Sequence, residues 1–427
     1  NSVTCTGTPF TVTVTVNPKP VIADTATTTC SGQAFTVTPT GIGSNIVPSG
    51  VRYSWLAPTV TGGMTGGASG TNATSITGTL TNPTSTDQTA VYTVTPRYTN
   101  NGVMCEGTSF TVTVTVNPRP AIGAYTTTIC TGTAHTFTPL NGQPTSATIV
   151  PVGTLYSWLP PTVAGITGTI AGTDETSFNS GTLVNSTNAP INVQYTVTPK
   201  YTSNSVTCTG TPFTVTVTVN PRPAIGAYTP TICSGTAHTF TPLNGQPTSA
   251  TIVPVGTLYS WLAPTVAGIS GTAPGTNQTS FNSGTLVNST NAPIDVQYTV
   301  TPRYTNNAVM CEGTPFTVTV TVGTGSSVQN EVRTVCSGDL FTVDPLLNIA
   351  NVLPSGVRYS WNPPTVTGGM TGGASGTNAV TITGTLTNPT NTVQTAVYNV
   401  TPSLGGSCSG GPFTVTVTVN PRPAIGA

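Results

Sequence analysis

FTVTVTVNPRP, Phe110–Pro120, alternates valine with threonine and then closes on two prolines. Side chains of an extended strand point to opposite faces in turn, so Val112, Val114 and Val116 share one face and the threonines share the other. Each valine buried on the first face contributes about 1.5–2 kcal/mol. Threonine is β-branched and favours the strand while its hydroxyl faces water. The strand is therefore apolar on one side and polar on the other without a single charge. Pro118 and Pro120 lack the N–H that a ladder needs and fix φ, so they end it. A Pro-x-Pro segment is a short, stiff spacer. The phrase predicts the last strand of a domain followed by a semi-rigid hinge.

The phrase recurs. It starts at Phe10 as FTVTVTVNPKP and returns at Phe213 and Phe413, while Phe316 opens FTVTVTV followed by GTGSS. Cysteines repeat with it. Cys30, Cys130, Cys233 and Cys336 stand 100, 103 and 103 residues apart, and Cys5, Cys105, Cys208, Cys311 and Cys408 each precede a copy of the strand. This period is the size of one β-sandwich domain, far above a solenoid repeat. Units two and three share TAHTFTPLNGQPTSATIVPVGTLYSW, and units one and four share TVTGGMTGGASGTNA, giving the order A-B-B-A. The expected division is 1–20, the last strand and linker of a preceding repeat; repeats at 21–120, 121–223, 224–325 and 326–423; and the start of a following repeat at 424–427. The chain thus reads as a segment of a longer protein.

Within each unit AFTVTP or AHTFTP, VRYSW or TLYSW, SITGTLTN or SFNSGTLVN, and AVYTVTP or VQYTVTP read as strands before FTVTVTV, with Gly, Pro, Asn and Ser between them. No segment carries the apolar period of a helix. Trp55, Trp158, Trp261 and Trp361 end each Tyr-Ser-Trp, where immunoglobulin-like sandwiches bury a tryptophan. Tyr92, Tyr195, Tyr298 and Tyr398 lie on the penultimate strand, where that fold places its tyrosine corner. These aromatics read as core, with a carbohydrate-stacking platform as the alternative.

Charged residues make up 5% of the 427, ten basic against ten acidic, where an ordinary soluble domain has roughly 25%. Such a surface offers no footprint for nucleic acid and no polybasic patch for anionic lipid. No run of 18 apolar residues is present to span a membrane. Near-zero net charge suits a protein tethered at a cell surface or in a fibre better than a crowded solute. No nucleophile has a recurrent histidine and carboxylate to serve it, so no enzyme and no cofactor are expected. Two histidines and no CxxC speak against zinc. His135 and His238 take the place of Phe35 and Phe341, which marks a packing slot. GGMTGGASG, Gly62–Gly70, reads as a mobile surface loop.

ICSGTAHTFTP, YSW, VQYTVTP and CEGTPFTVTVTVNPRP together resemble the PKD-like and immunoglobulin-like repeats of very large cell-surface proteins of Bacteroidetes, among them gliding adhesins and other cargo of the type IX secretion system. The resemblance runs through every unit. It implies an all-β tandem array of immunoglobulin-like (PKD-like) sandwiches, export to the cell surface or outside it, and service as a stalk or filament for attachment or gliding. It implies as partners the neighbouring repeats of the same chain, with other copies in a filament and a surface glycan as further candidates. The acidic calcium clusters of many adhesin repeats are missing. Asp24-Thr25-Ala26 matches the O-glycosylation motif of that group of bacteria, with Thr25 as acceptor. The competing function is an array of glycan-binding modules using loops and aromatics.

Cysteines in an exported, strand-rich chain read as disulfides. Three pairings are open. Within a unit they are Cys30–Cys105, Cys130–Cys208, Cys233–Cys311 and Cys336–Cys408; across the hinge, Cys5–Cys30, Cys105–Cys130, Cys208–Cys233 and Cys311–Cys336; and from one unit to the next but one set, Cys30–Cys208 and Cys130–Cys311. Loop entropy does not choose, since loops of about 75 and about 25 residues differ by only about 1 kcal/mol.

Overall fold

The computed structural model describes residues 2–324, 328–351, 353, 355–403, 408 and 410–423; the further repeat expected at 424–427 lies outside them. The chain is all-β, four tandem immunoglobulin-like sandwiches with one 3-10 turn at Pro345–Leu347. Two compact units form, residues 1–185 with 191–219, and 186–190 with 220–427. The first carries repeats 1 and 2, the second repeats 3 and 4.

Repeat 1 shows the plan. Its strands are β1 (Thr25–Cys30), β2 (Ala34–Val37), β3 (Arg52–Trp55), β4 (Thr59–Val60), β5 (Thr65–Gly66), β6 (Gly70–Ala73), β7 (Ile76–Thr81), β8 (Gln88–Asn100), β9 (Val103–Glu106) and β10 (Phe110–Asn117). One sheet runs β1-β10-β8-β3-β6, with β4 and β9 also on β8; the facing sheet runs β2-β7-β5. The strand phrase is β10, and it lies inside its sheet. Antiparallel β8 flanks it on one side, with Val112 opposite Tyr92. Parallel β1 flanks it on the other, from Thr25 opposite Val112 to Cys30 opposite Asn117. Val112, Val114 and Val116 are fully buried, together with Tyr92, Ile76 and Leu80.

Strands β1, β4, β5, β6 and β9 were not expected. TATTTC has no apolar alternation, because its pairing with β10 rests on the backbone ladder and not on an apolar face. GGMTGGASG is not a free loop. Met64 is buried, Thr65 and Gly66 pair with β7, and Gly70 begins β6, which pairs with β3. Of the five copies of the strand phrase, the four from Phe110 onward are strands; the copy from Phe10 pairs with nothing and is exposed.

The A and B repeats fill the same core differently. In repeat 1, Phe35 on β2 lies 5.5 Å from Tyr92, and Phe341 repeats this against Tyr398 in repeat 4. In repeat 2, Phe178 takes that role, 4.9 Å from Tyr195, as does Phe281 beside Tyr298 in repeat 3. The B strand carries one extra residue, seen as a register shift between Ala134 and Thr136 that has no counterpart in repeat 1. The carbonyl of Ser180 accepts the Tyr195 hydroxyl at 2.7 Å, and Ser283 serves Tyr298 likewise. His135 therefore does not share the slot of Phe35. It is half-buried and stacks on Tyr125 at 5.6 Å.

Two outcomes follow. Tyr92 Oη has no hydrogen-bond partner, so Tyr92→Phe should leave stability unchanged or raise it slightly, whereas Tyr195→Phe strands a buried carbonyl and should cost about 1–2 kcal/mol in urea unfolding. Burial lowers the imidazoles of His135 and His238 below the ordinary value of 6.5. The unfolded chain then binds the proton first as pH falls, so their contribution is complete above about 6.5 and is lost as pH falls through the depressed folded-state value. Melting followed from pH 7.5 to 5 should show a falling midpoint that the double variant His135→Gln, His238→Gln flattens.

Candidate functional site: the joint between repeats

The recurrent site of this chain is the place where one sandwich hands over to the next. Because β1 is parallel to β10, it carries Cys30 to the trailing end of repeat 1, beside Asn117. The long hairpin of repeat 2, Ile191–Ser203 with Val206–Thr209, projects back to meet it. Cys30 is bonded there to Cys208, with Cα atoms 5.5 Å apart and a sequence separation of 178. Within the second unit Cys233 is bonded to Cys408 in the same way, Cα to Cα 5.4 Å. Cys130 and Cys311 are disulfide-bonded as well.

Pairing within a unit is thereby overturned, and so is pairing across the hinge. The hairpin cysteine of a repeat sits at its leading end, and the β1 cysteine sits at its trailing end, so the two do not meet. Cys105 and Cys336, both offered as disulfide candidates, are free thiols, and so is Cys5. The residues that the observed rule would give Cys105 and Cys336 are not among the 427.

Polar contacts complete the joint. Asn117, fully buried, donates from Nδ2 to the carbonyl of Ser203 at 2.7 Å. Asn17 and Asn100 hold each other reciprocally, Nδ2 to carbonyl at 3.2 Å and Nδ2 to Oδ1 at 3.0 Å. Asn220 and Asn306 repeat that pair. Where Ser203 replaces the second asparagine, Asn117 Oδ1 is left without a partner. The Ser203 hydroxyl turns instead to the Asp87 carboxylate at 2.6 Å, which also accepts from Asn204 Nδ2 at 3.3 Å.

The proline segment is not a loose hinge. Pro20 and Pro120 are buried, and Ala121 bridges to Ile149. The Pro120 carbonyl lies directly over Gly210, where a Cβ would stand 2.1 Å from its oxygen; Gly107 under Pro20 and Gly313 under Pro223 are alike. Glycine is needed there because backbone passes over backbone.

The aromatic candidates belong to the core. Trp55, Trp158, Trp261 and Trp361 are 4–8% exposed, and Tyr92, Tyr195, Tyr298 and Tyr398 are buried. Each indole N–H donates to a backbone carbonyl, as Trp158 does to Ile170 at 3.0 Å, and a glycine covers the ring, Gly172 over Trp158. Burial pushes the phenols of Tyr195 and Tyr298 up to about 12. Open grooves of ≈ 560, 540 and 490 Å³ lie beside Trp55, Trp158 and Trp261, and one of ≈ 720 Å³ with a different lining lies beside Trp361. Thr25 opens β1 and is half-buried; Asp24 before it accepts the Thr111 N–H at 2.6 Å, a task Asn330 performs for Thr414 in repeat 4. Among the described residues no three His, Cys, Asp or Glu side chains gather to hold a metal. No helix among them is long and apolar enough to cross a membrane.

The model of the PKD-like domain matches residues 23–120, 127–223, 230–326 and 333–423. Among solved structures the chain is similar to the insect immune protein hemolin (12% identity, 95% of this chain and 100% of that one, TM-score 0.23) and to Drosophila N-cadherin EC1-4 (9%, 94% and 99%, 0.22). Sidekick-1 immunoglobulin domains 1-4 are a third (8% identity, 95% and 98%, 0.20). Among curated proteins nothing matches the chain.

Proposed function

We propose that this chain, which belongs to the PKD-like domain family, serves as a tension-bearing extracellular stalk in a surface adhesin or attachment appendage. The observation that carries this reading is the bond from Cys30 to Cys208. A pull along the chain leaves the backbone at Cys30 and rejoins it at Cys208, so most of two sandwiches is bypassed. The second bond, Cys233 to Cys408, does the same over a separation of 175 residues. Bonds of this kind suit an oxidising, extracellular setting. The charge-poor, hydroxyl-rich surface and the resemblance to Bacteroidetes repeat proteins support placing the stalk at a bacterial surface, with type IX secretion as its route and gliding or attachment as its task. Force–extension curves of the oxidised and the reduced chain test the reading. Equal extension in both would overturn it.

A second reading, glycan recognition, draws support from the groove that recurs beside Trp55, Trp158 and Trp261, where Leu56, Leu159 and Leu262 are more than 80% exposed. A glycan array probed with the whole chain tests it, and a blank array ends it.

A further inference from the structure

Ten basic residues are spread over 427 positions, yet two of them face each other in repeat 1. Arg52 on β3 lies directly opposite Arg97 on β8. Residues paired in this way point to the same face of a sheet, with Cβ atoms about 4.5–5.5 Å apart, and like charges there repel. Tyr53 and Trp55 are buried on the core face, so the arginine face is the outer one. One carboxylate reaches the pair: Glu106 accepts from Arg97 Nε at 2.8 Å. Among the described residues no other group pairs with either guanidinium, and Arg52 is exposed. Two guanidiniums against one carboxylate leave one positive charge over. The other repeats avoid this arrangement. Leu155 stands opposite Lys200, Leu258 opposite Arg303, and Arg358 opposite Ser403. Lys200 and Arg303 are each balanced, by Asp174 at 2.6 Å and Glu312 at 2.9 Å.

Arg97 also lines the ≈ 560 Å³ groove beside Trp55. That volume lies within the roughly 300–1,000 Å³ of small-ligand sites. Leu56, 82% exposed, lines it too, and Thr71 and Thr93 bring exposed hydroxyls. An apolar edge, two hydroxyls and an unbalanced pair of guanidiniums thus meet on one face. We propose that this groove binds an acidic sugar, a hexuronate unit of a polysaccharide. The C–H face of the ring lies on Leu56, its hydroxyls bond to the threonines, and its carboxylate takes the Nη fork of Arg97 with Arg52 beside it. A single carboxylate cancels the one charge left over and relieves the repulsion between the arginines. The inference rests on the glycan reading above and names the class of sugar and the repeat that selects it.

Biolayer interferometry of the whole chain over immobilised polygalacturonate and over its methyl ester tests the proposal. The acid should bind about 10-fold more tightly than the ester. Arg52→Leu should bring the two polymers level. It keeps the Arg97–Glu106 pair and installs the residue that repeats 2 and 3 carry, so the melting midpoint should not fall. Leu56→Asn, the residue that follows Trp361 in repeat 4, should weaken binding to both polymers. Adding Leu258→Arg to Arg52→Leu should restore the preference for the acid, because Arg303, Leu262 and a groove of ≈ 490 Å³ already stand in repeat 3. Equal binding of acid and ester by the unsubstituted chain would overturn the acidic class and leave the glycan reading standing. Binding of neither would overturn the hexuronate, and the glycan array then decides the wider reading. A preference that survives Arg52→Leu would overturn the role of the arginine pair, and binding unchanged by Leu56→Asn would overturn the groove as its seat. Dextran sulfate bound as tightly as polygalacturonate would overturn the choice of a carboxylate.

Discussion

Pulled from its two ends with disulfides intact, the chain will extend to no more than about 260 Å, even after every sandwich has unfolded. The shortest covalent route runs through residues 1–30, crosses to 208–233, and crosses again to 408–427. That route holds about 75 residues, and an extended residue spans roughly 3.3–3.6 Å. After reduction all 427 residues lie on the route, and the limit rises to about 1,500 Å. Single-molecule stretching in buffer with and without a phosphine reductant measures both limits. Cys30→Ser should lengthen the oxidised chain by several hundred ångströms, because the route can no longer skip from residue 30 to residue 208. A Cys105→Ser variant should leave the curve of the isolated chain unchanged, because that thiol is free in it.

Gly210→Val should detach the linker between repeats 1 and 2 and cost about 3 kcal/mol or more. A Cβ at this position meets the Pro120 carbonyl oxygen at 2.1 Å and the Pro199 ring at 2.9 Å. The obstacle is backbone, so no rotamer relieves it, and overpacking in such a place costs about 1–3 kcal/mol for the first added carbon alone. The Gly210 N–H also donates to the Pro199 carbonyl at 2.8 Å, a bond the displaced hairpin would strain. Urea unfolding should show the loss, and limited proteolysis should open a new cut between Asn117 and Ile122. Gly41→Ala is the control, since an added Cβ there meets nothing within 4 Å.

Much of the fold was legible because it rests on two-residue periodicity. FTVTVTV, RYSW and AVYTVTP alternate, and their apolar faces are the core. The tryptophans and tyrosines were legible for the same reason, as large side chains on those faces. Strand β1 was not, because a parallel ladder needs only backbone groups and TATTTC carries no apolar stripe. That omission hid the joint. Without β1 the three pairings stayed open, and loop entropy was blind to the difference. The docking of Pro120 on Gly210 had a signal in the sequence, the glycine two residues after Cys105, Cys208 and Cys311, which was not read. His135 was misplaced because a one-residue insertion, Ser180, moves the aromatic partner of Tyr195 to the other strand while leaving the composition nearly unchanged.

The direction of the cross-links has a consequence for how such a gene can vary. Each one reaches forward by a single unit and never back, so excising 121–223 would set Cys30 against Cys311 and Asn117 against Asn306, the equivalents of the partners lost. Recombination can therefore shorten or lengthen the array by whole periods and leave every internal thiol matched, whereas a crossover out of phase strands a cysteine in each product and is selected against at the first oxidative fold.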